Sequence, residues 1–134
     1  MNKINRSKER EQAFILVFEK AFNPDCEIED IFNLALESEF MEPSEFAISL
    51  AKTTVENIVQ IDDKISQYAR GWTTDRITKV SLSILRIAIC EMLFFDDIPE
   101  GVSINEAVEL AKTYASKEDG SFINGVLGSI SRDK

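Results

Sequence analysis

At 134 residues, 44% of them hydrophobic, the chain is long enough for one well-buried core and too short for two independent ones. Histidine is absent, which removes the commonest general base, the commonest zinc ligand and every Ser-His or Cys-His nucleophile arrangement, and so weighs against a hydrolase. The net charge of −9 is unevenly spread: residues 1–10 set Lys3, Arg6, Lys8 and Arg10 against Glu9, whereas residues 19–63 set twelve acids against Lys20 and Lys52, a division that lets one end bind a polyanion while the rest repels it.

The spacing of Ala13, Phe14, Val17, Phe18, Ala21 and Phe22 predicts a first helix over about Ser7–Phe22, stopped by Asn23-Pro24. A second is expected over about Glu27–Phe40, with Glu27, Glu29 and Asp30 complementing its dipole. Pro43 is placed to start a third, whose inner face is Ala47, Leu50, Ala51, Thr54, Val55 and Ile58. Asp62 is expected to cap a short fourth helix that Gly71 ends. The link Gly71-Trp72-Thr73-Thr74 divides the chain into parts of about 1–71 and 72–134.

The central helix is predicted over about Asp75–Phe95. Ten of the twelve residues from Ile84 to Phe95 are apolar, so this helix should be surrounded by others. Its two charges, Arg86 and Glu91, are expected to be paired, because an unpaired buried charge is costly. Ser103-Ile104-Asn105-Glu106 has the form of a capping box before the stripe Ile104, Ala107, Val108, Ala111, Tyr114 and Ala115. Ser116 to Gly120 reads as a turn, and Ile123, Val126, Leu127 and Ile130 as the inner face of a last helix. In that helix Gly125 and Gly128 should let a neighbouring backbone approach. With no strand-like alternation anywhere, the chain reads as all-α.

Little in the sequence points to chemistry. Phosphate-cradling glycines and a Glu-x-x-His metal pattern are absent, and Asp62-Asp63 and Asp96-Asp97 are explained by capping and solvation. No catalytic residue, metal ligand or cofactor is assigned. Cys26 and Cys90 are expected to be free thiols. A charged start without a signal-peptide core, and no membrane-length apolar run, place the protein in the cytoplasm. What remains is binding. Single-stranded nucleic acid is held by lysine and arginine on its backbone and aromatic rings against its bases, and the first ten residues supply such charge.

The blocks Leu85-Arg86-Ile87-Ala88 with Glu91, Ile104-Asn105-Glu106-Ala107-Val108-Glu109-Leu110-Ala111-Lys112, and Phe122-Ile123-Asn124-Gly125-Val126-Leu127 resemble, in order and spacing, the NusB family of bacterial transcription antitermination factors. The resemblance implies a single all-α domain of about seven helices in two subdomains around the central helix. It also implies a function: pairing with NusE, a small-subunit ribosomal protein, to bind single-stranded boxA RNA and nucleate a complex that helps RNA polymerase read through terminators in ribosomal RNA operons. Carried over by position, the RNA-contacting set falls on Lys3, Arg6, Lys8, Arg10 and Phe18, with Lys117, Glu118, Asp119 and Phe122 from the loop before the last helix. Partner contacts fall on Arg76, Lys79 and Ser81. The alternative is a helical protein-interaction or homodimer module whose basic end is only a tail. A third reading, a fragment of an RNA methyltransferase, is disfavoured by the lack of a glycine-rich cofactor motif.

Overall fold

The computed structural model describes residues 4–39, 41–72 and 74–133. Seven α-helices follow one another among them: α1 (Arg6–Phe22), α2 (Ile28–Glu37), α3 (Glu45–Glu56), α4 (Ile58–Tyr68), α5 (Lys79–Phe94), α6 (Glu100–Tyr114) and α7 (Lys117–Arg132). A 3-10 turn, Thr74–Arg76, precedes α5. The described residues contain no strand, and none of their helices is long and apolar enough to cross a membrane.

α5 is the axis. It packs against α1, α3, α4, α6 and α7, and from Ser81 to Met92 every residue but Arg86 is buried. That all-round burial follows from its composition, since a helix apolar on every side must be enclosed by others. The buried residues of all seven helices join in a single hydrophobic cluster.

Local chemistry fixes the helix ends. The Asn5 side chain accepts from the Lys8 amide at 2.8 Å and starts α1; the Ser44 hydroxyl does the same for α3 through Ala47. Pro43 therefore lies just before the α3 cap and not in the first turn. Thr78, three residues beyond the expected start at Asp75, caps α5 by accepting from Ser81.

Three expectations about ends are corrected. Asp62 lies inside α4, because that helix begins at Ile58 directly after α3; its carboxylate takes a bidentate pair from Arg86 at 2.9 and 2.8 Å. Ser103 is not a cap either. α6 starts a turn earlier, at Glu100 behind Pro99, and the buried Ser103 hydroxyl donates to Glu91. The capping box sits instead at Ser116, read as part of a turn: its hydroxyl accepts from the Asp119 amide, and the Asp119 carboxylate accepts from the Ser116 amide.

The glycines of α7 also differ from expectation. A methyl group at Gly125 would meet nothing within 4 Å, and one at Gly128 only the Arg132 guanidinium at 3.5 Å; the glycine facing a neighbouring helix is Gly120, 3.7 Å from the Ala111 methyl.

Candidate nucleic-acid interface

The basic end is built on the first two turns of α1. Arg6 is exposed, lays its guanidinium 3.9 Å from the Phe46 ring centre and stands 3.6 Å from Glu9. Lys8 is exposed and pairs with Glu11 at 3.1 Å. Both cations are held only by surface interactions, worth little and easily exchanged for a phosphate. Lys3 lies outside the described residues.

Arg10 is placed differently from the expectation. It is 4% exposed and donates from Nε to Glu91 Oε2 at 2.6 Å, with Glu106 3.9 Å from its other side. Glu91 takes its second hydrogen bond from Ser103, at 2.8 Å, while Ser7 donates to Glu106 at 2.7 Å. Buried charges persist when paired and hydrogen-bonded in this way. Arg10 therefore presents almost no surface to a ligand, and its work is to pin α1 onto α5 and α6.

Along α1 an aromatic series at four-residue spacing passes from the core to the surface. Phe14 and Phe18 are 5.8 Å apart, and Phe22 meets Phe18 edge-on at 4.9 Å. Tyr114, from the end of α6, continues it at 4.9 Å from Phe14. Phe14 is core, Phe18 half-buried, and Phe22 and Tyr114 are 58% and 40% exposed. The Tyr114 hydroxyl donates to Glu11 at 2.8 Å, so the start of α1 and the α6–α7 junction are tied together. The two segments assigned to RNA thus share one edge of the molecule. On the α7 side, Lys117 and Glu118 are exposed, Asp119 is occupied by its cap, and the half-buried Phe122 ring lies 6.2 Å from exposed Trp72.

Partial burial pulls the Glu11 carboxyl upward, but hydrogen bonds from Tyr114 and Lys8, with the lysine's charge, hold it below its ordinary value. Desolvation first, then the bond to Glu11 and its charge, pushes the Tyr114 phenol up to about 12. With its folded pKa above the unfolded value, Tyr114 contributes stability below about pH 10 that is lost as pH rises through the folded pKa. For Glu11 the sign is opposite: its contribution is present at neutral pH and is lost as pH falls through its lowered pKa. In a Tyr68→Phe background, an ultraviolet titration is expected to find the phenol near its raised value. Glu11→Gln should bring it down; no change would assign the whole shift to burial.

Of the partner candidates, Arg76 is exposed on the 3-10 turn, and exposed Lys79 sets its ammonium 5.4 Å from the Phe22 ring centre. Ser81 is corrected: it faces the core, 1% exposed, and its hydroxyl has no hydrogen-bond partner among the described residues. Sequence reasoning passed over Phe22 and Tyr114, assigning both to inner stripes. Their positions at the very ends of α1 and α6, where a stripe runs out from under its neighbours, are the signal that could have found them. Among the described residues, no group of three His, Cys, Asp or Glu side chains is placed to hold a metal ion.

Comparison with known proteins supplies the lineage. The sequence pattern of the NusB family matches residues 7–132. The transcription antitermination protein NusB of Oceanobacillus iheyensis is 42% identical over 127 residues, covering 95% of this chain and 98% of that one. Among solved structures, T. maritima NusB superimposes with a TM-score of 0.82 at 35% identity, over 98% of this chain and 94% of that one. A chain from a crystal structure of antitermination factors NusB and NusE in complex with double-stranded RNA superimposes with a TM-score of 0.85 at 26% identity, over 96% and 97%. Matched in sequence and in fold along nearly its whole length, this chain belongs to the NusB family.

Proposed function

We propose that the protein is a transcription antitermination factor, binding boxA RNA together with NusE and helping RNA polymerase read through terminators in ribosomal RNA operons. The observation that carries this is the near full-length match to antitermination proteins, supported by the likeness to a chain of a structure holding NusB, NusE and RNA. It acts by binding, with no catalytic step of its own, in the cytoplasm where the transcript emerges. The proposed RNA surface is Lys3, Arg6, Lys8, Phe18, Lys117, Glu118 and Phe122, with Tyr114 added by its exposed ring beside Glu11. Arg10 and Asp119 are positioning residues that hold α1 and the start of α7. Arg76 and Lys79 are proposed to face NusE.

The test is fluorescence anisotropy with boxA RNA, with and without NusE, at two salt concentrations. Arg6→Glu/Lys8→Glu is expected to weaken binding and to flatten the slope of log K against log salt by roughly 1.4, about 0.7 for each single-strand phosphate no longer neutralised. Unchanged RNA affinity together with abolished NusE binding would favour the protein-interaction module instead. No boxA binding in either condition overturns the reading.

A further inference from the structure

α2 is apolar on more than one side. Ile28, Ile31 and Phe32 face the core, yet Leu34 and Leu36 on the same helix are 64% and 49% exposed. Beside Leu34 a groove of about 810 Å³ opens between α1 and α2, its walls including Ile15, Leu34 and Met41 and its rim the carboxylates of Glu19, Asp30 and Glu37. The lysine of this stretch of α1, Lys20, does not line the groove and is engaged by the carbonyls of Pro24 and Cys26. The groove thus combines exposed aliphatic surface with a rim of one sign, within the stretch that carries twelve acids against two lysines.

We propose that this groove is a docking site for a cationic amphipathic helix of a partner protein. Aliphatic anchors at three- and four-residue spacing would fill the space beside Leu34 and Met41, and flanking lysines or arginines would meet Glu19, Asp30 and Glu37. Charge selects this occupant. RNA and anionic membrane surfaces are repelled by the rim, and a second copy seated symmetrically would set one acidic face against another. The chain's own basic helix cannot serve, since Arg10 fastens it to Glu91. None of the residues in the proposed RNA set lines the groove.

The groove carries its own reporter. Cys26 lines it and is exposed, whereas Cys90 is buried with its thiol pushed up to about 11, chiefly by desolvation; a maleimide dye therefore selects Cys26. The probe is a synthetic leucine–lysine peptide with leucines at heptad spacing, titrated against the dye-labelled full chain and, by calorimetry, against unlabelled protein. Saturable binding is expected, weakened about tenfold or more by Leu34→Gln and by Asp30→Lys/Glu37→Lys, the scale of removing one interface anchor. Leu34 is largely solvent-exposed, so these variants should keep the fold, as circular dichroism would show. Equal binding of a scrambled, non-amphipathic peptide of the same composition, or indifference to Leu34→Gln, overturns the proposal. So does a concentration-dependent dimer in sedimentation that Leu34→Gln dissolves, because the groove would then be filled by a second copy.

Discussion

Replacing Glu91 with alanine is expected to destabilise the protein by about 3–5 kcal/mol, the usual cost of stranding one member of a buried ion pair. The geometry concentrates that cost. Arg10 and Glu91 have side chains 5% and 1% exposed and meet at 2.6 Å, and the Ser103 hydroxyl would also lose its acceptor. Glu106, at 3.9 Å and partly solvated, is too distant to replace a direct hydrogen bond. The double change Arg10→Met/Glu91→Leu is expected to recover most of the loss, because removing both charges removes the desolvation problem with the attraction. Urea denaturation of the two variants measures both effects. A cost below about 1 kcal/mol for Glu91→Ala would show that water reaches Arg10 and solvates its charge, since exposed pairs contribute no more than that. If Arg10 acts only by positioning α1, the double variant also keeps its RNA affinity.

Leu85→Ala should cost about 2–5 kcal/mol, the range for emptying a fully buried leucine site. Leu85 is 0% exposed on the helix that packs against α1, α3, α4, α6 and α7, so collapse around the void would disturb several neighbours at once. Leu34→Ala, on the open groove, is expected to stay within about 0.5 kcal/mol, as surface changes do. The pair of measurements separates leucines that hold the fold from leucines left for a partner; equal costs would mean that Leu34 is better covered than its exposure indicates.

Most of the helical framework was legible in the sequence because each long helix carries its own period. The pairing of Arg86 and Glu91 was legible too, since two charges in a run of apolar residues demand partners. The partners themselves were harder to see. Arg10 looks like part of a basic tail, yet it stands three and four residues before Ala13 and Phe14 and seven before Val17. It is therefore in phase with the buried stripe, and that phase is the clue to its burial. Ser103 repeats the lesson. It is in register with Ala107, Leu110 and Ala111, so the serine that resembles a cap belongs to the inner face. The α3–α4 boundary was invisible because only Asn57 separates two apolar-periodic segments, which displaced the fourth helix and made Asp62 look like its start. At the candidate interface, sequence could propose charges but not exposure. Whether a phenylalanine on α1 is core or surface depends on where the neighbouring helices end, which no local pattern records.

The contacts that anchor α1 reach far along the chain: Arg10 to Glu91, Ser7 to Glu106 and Glu11 to Tyr114 span 81, 99 and 103 residues. A growing polypeptide emerges from its first residue onward, and distant contacts form only after the intervening chain exists. The basic helix α1, made before its partners, is thus locked in place only after them, waiting on α5 and the far end of α6. Synthesis itself then sets an order of events, in which the edge shared by α1 and the α6–α7 junction is completed only after α2 to α6 have been made.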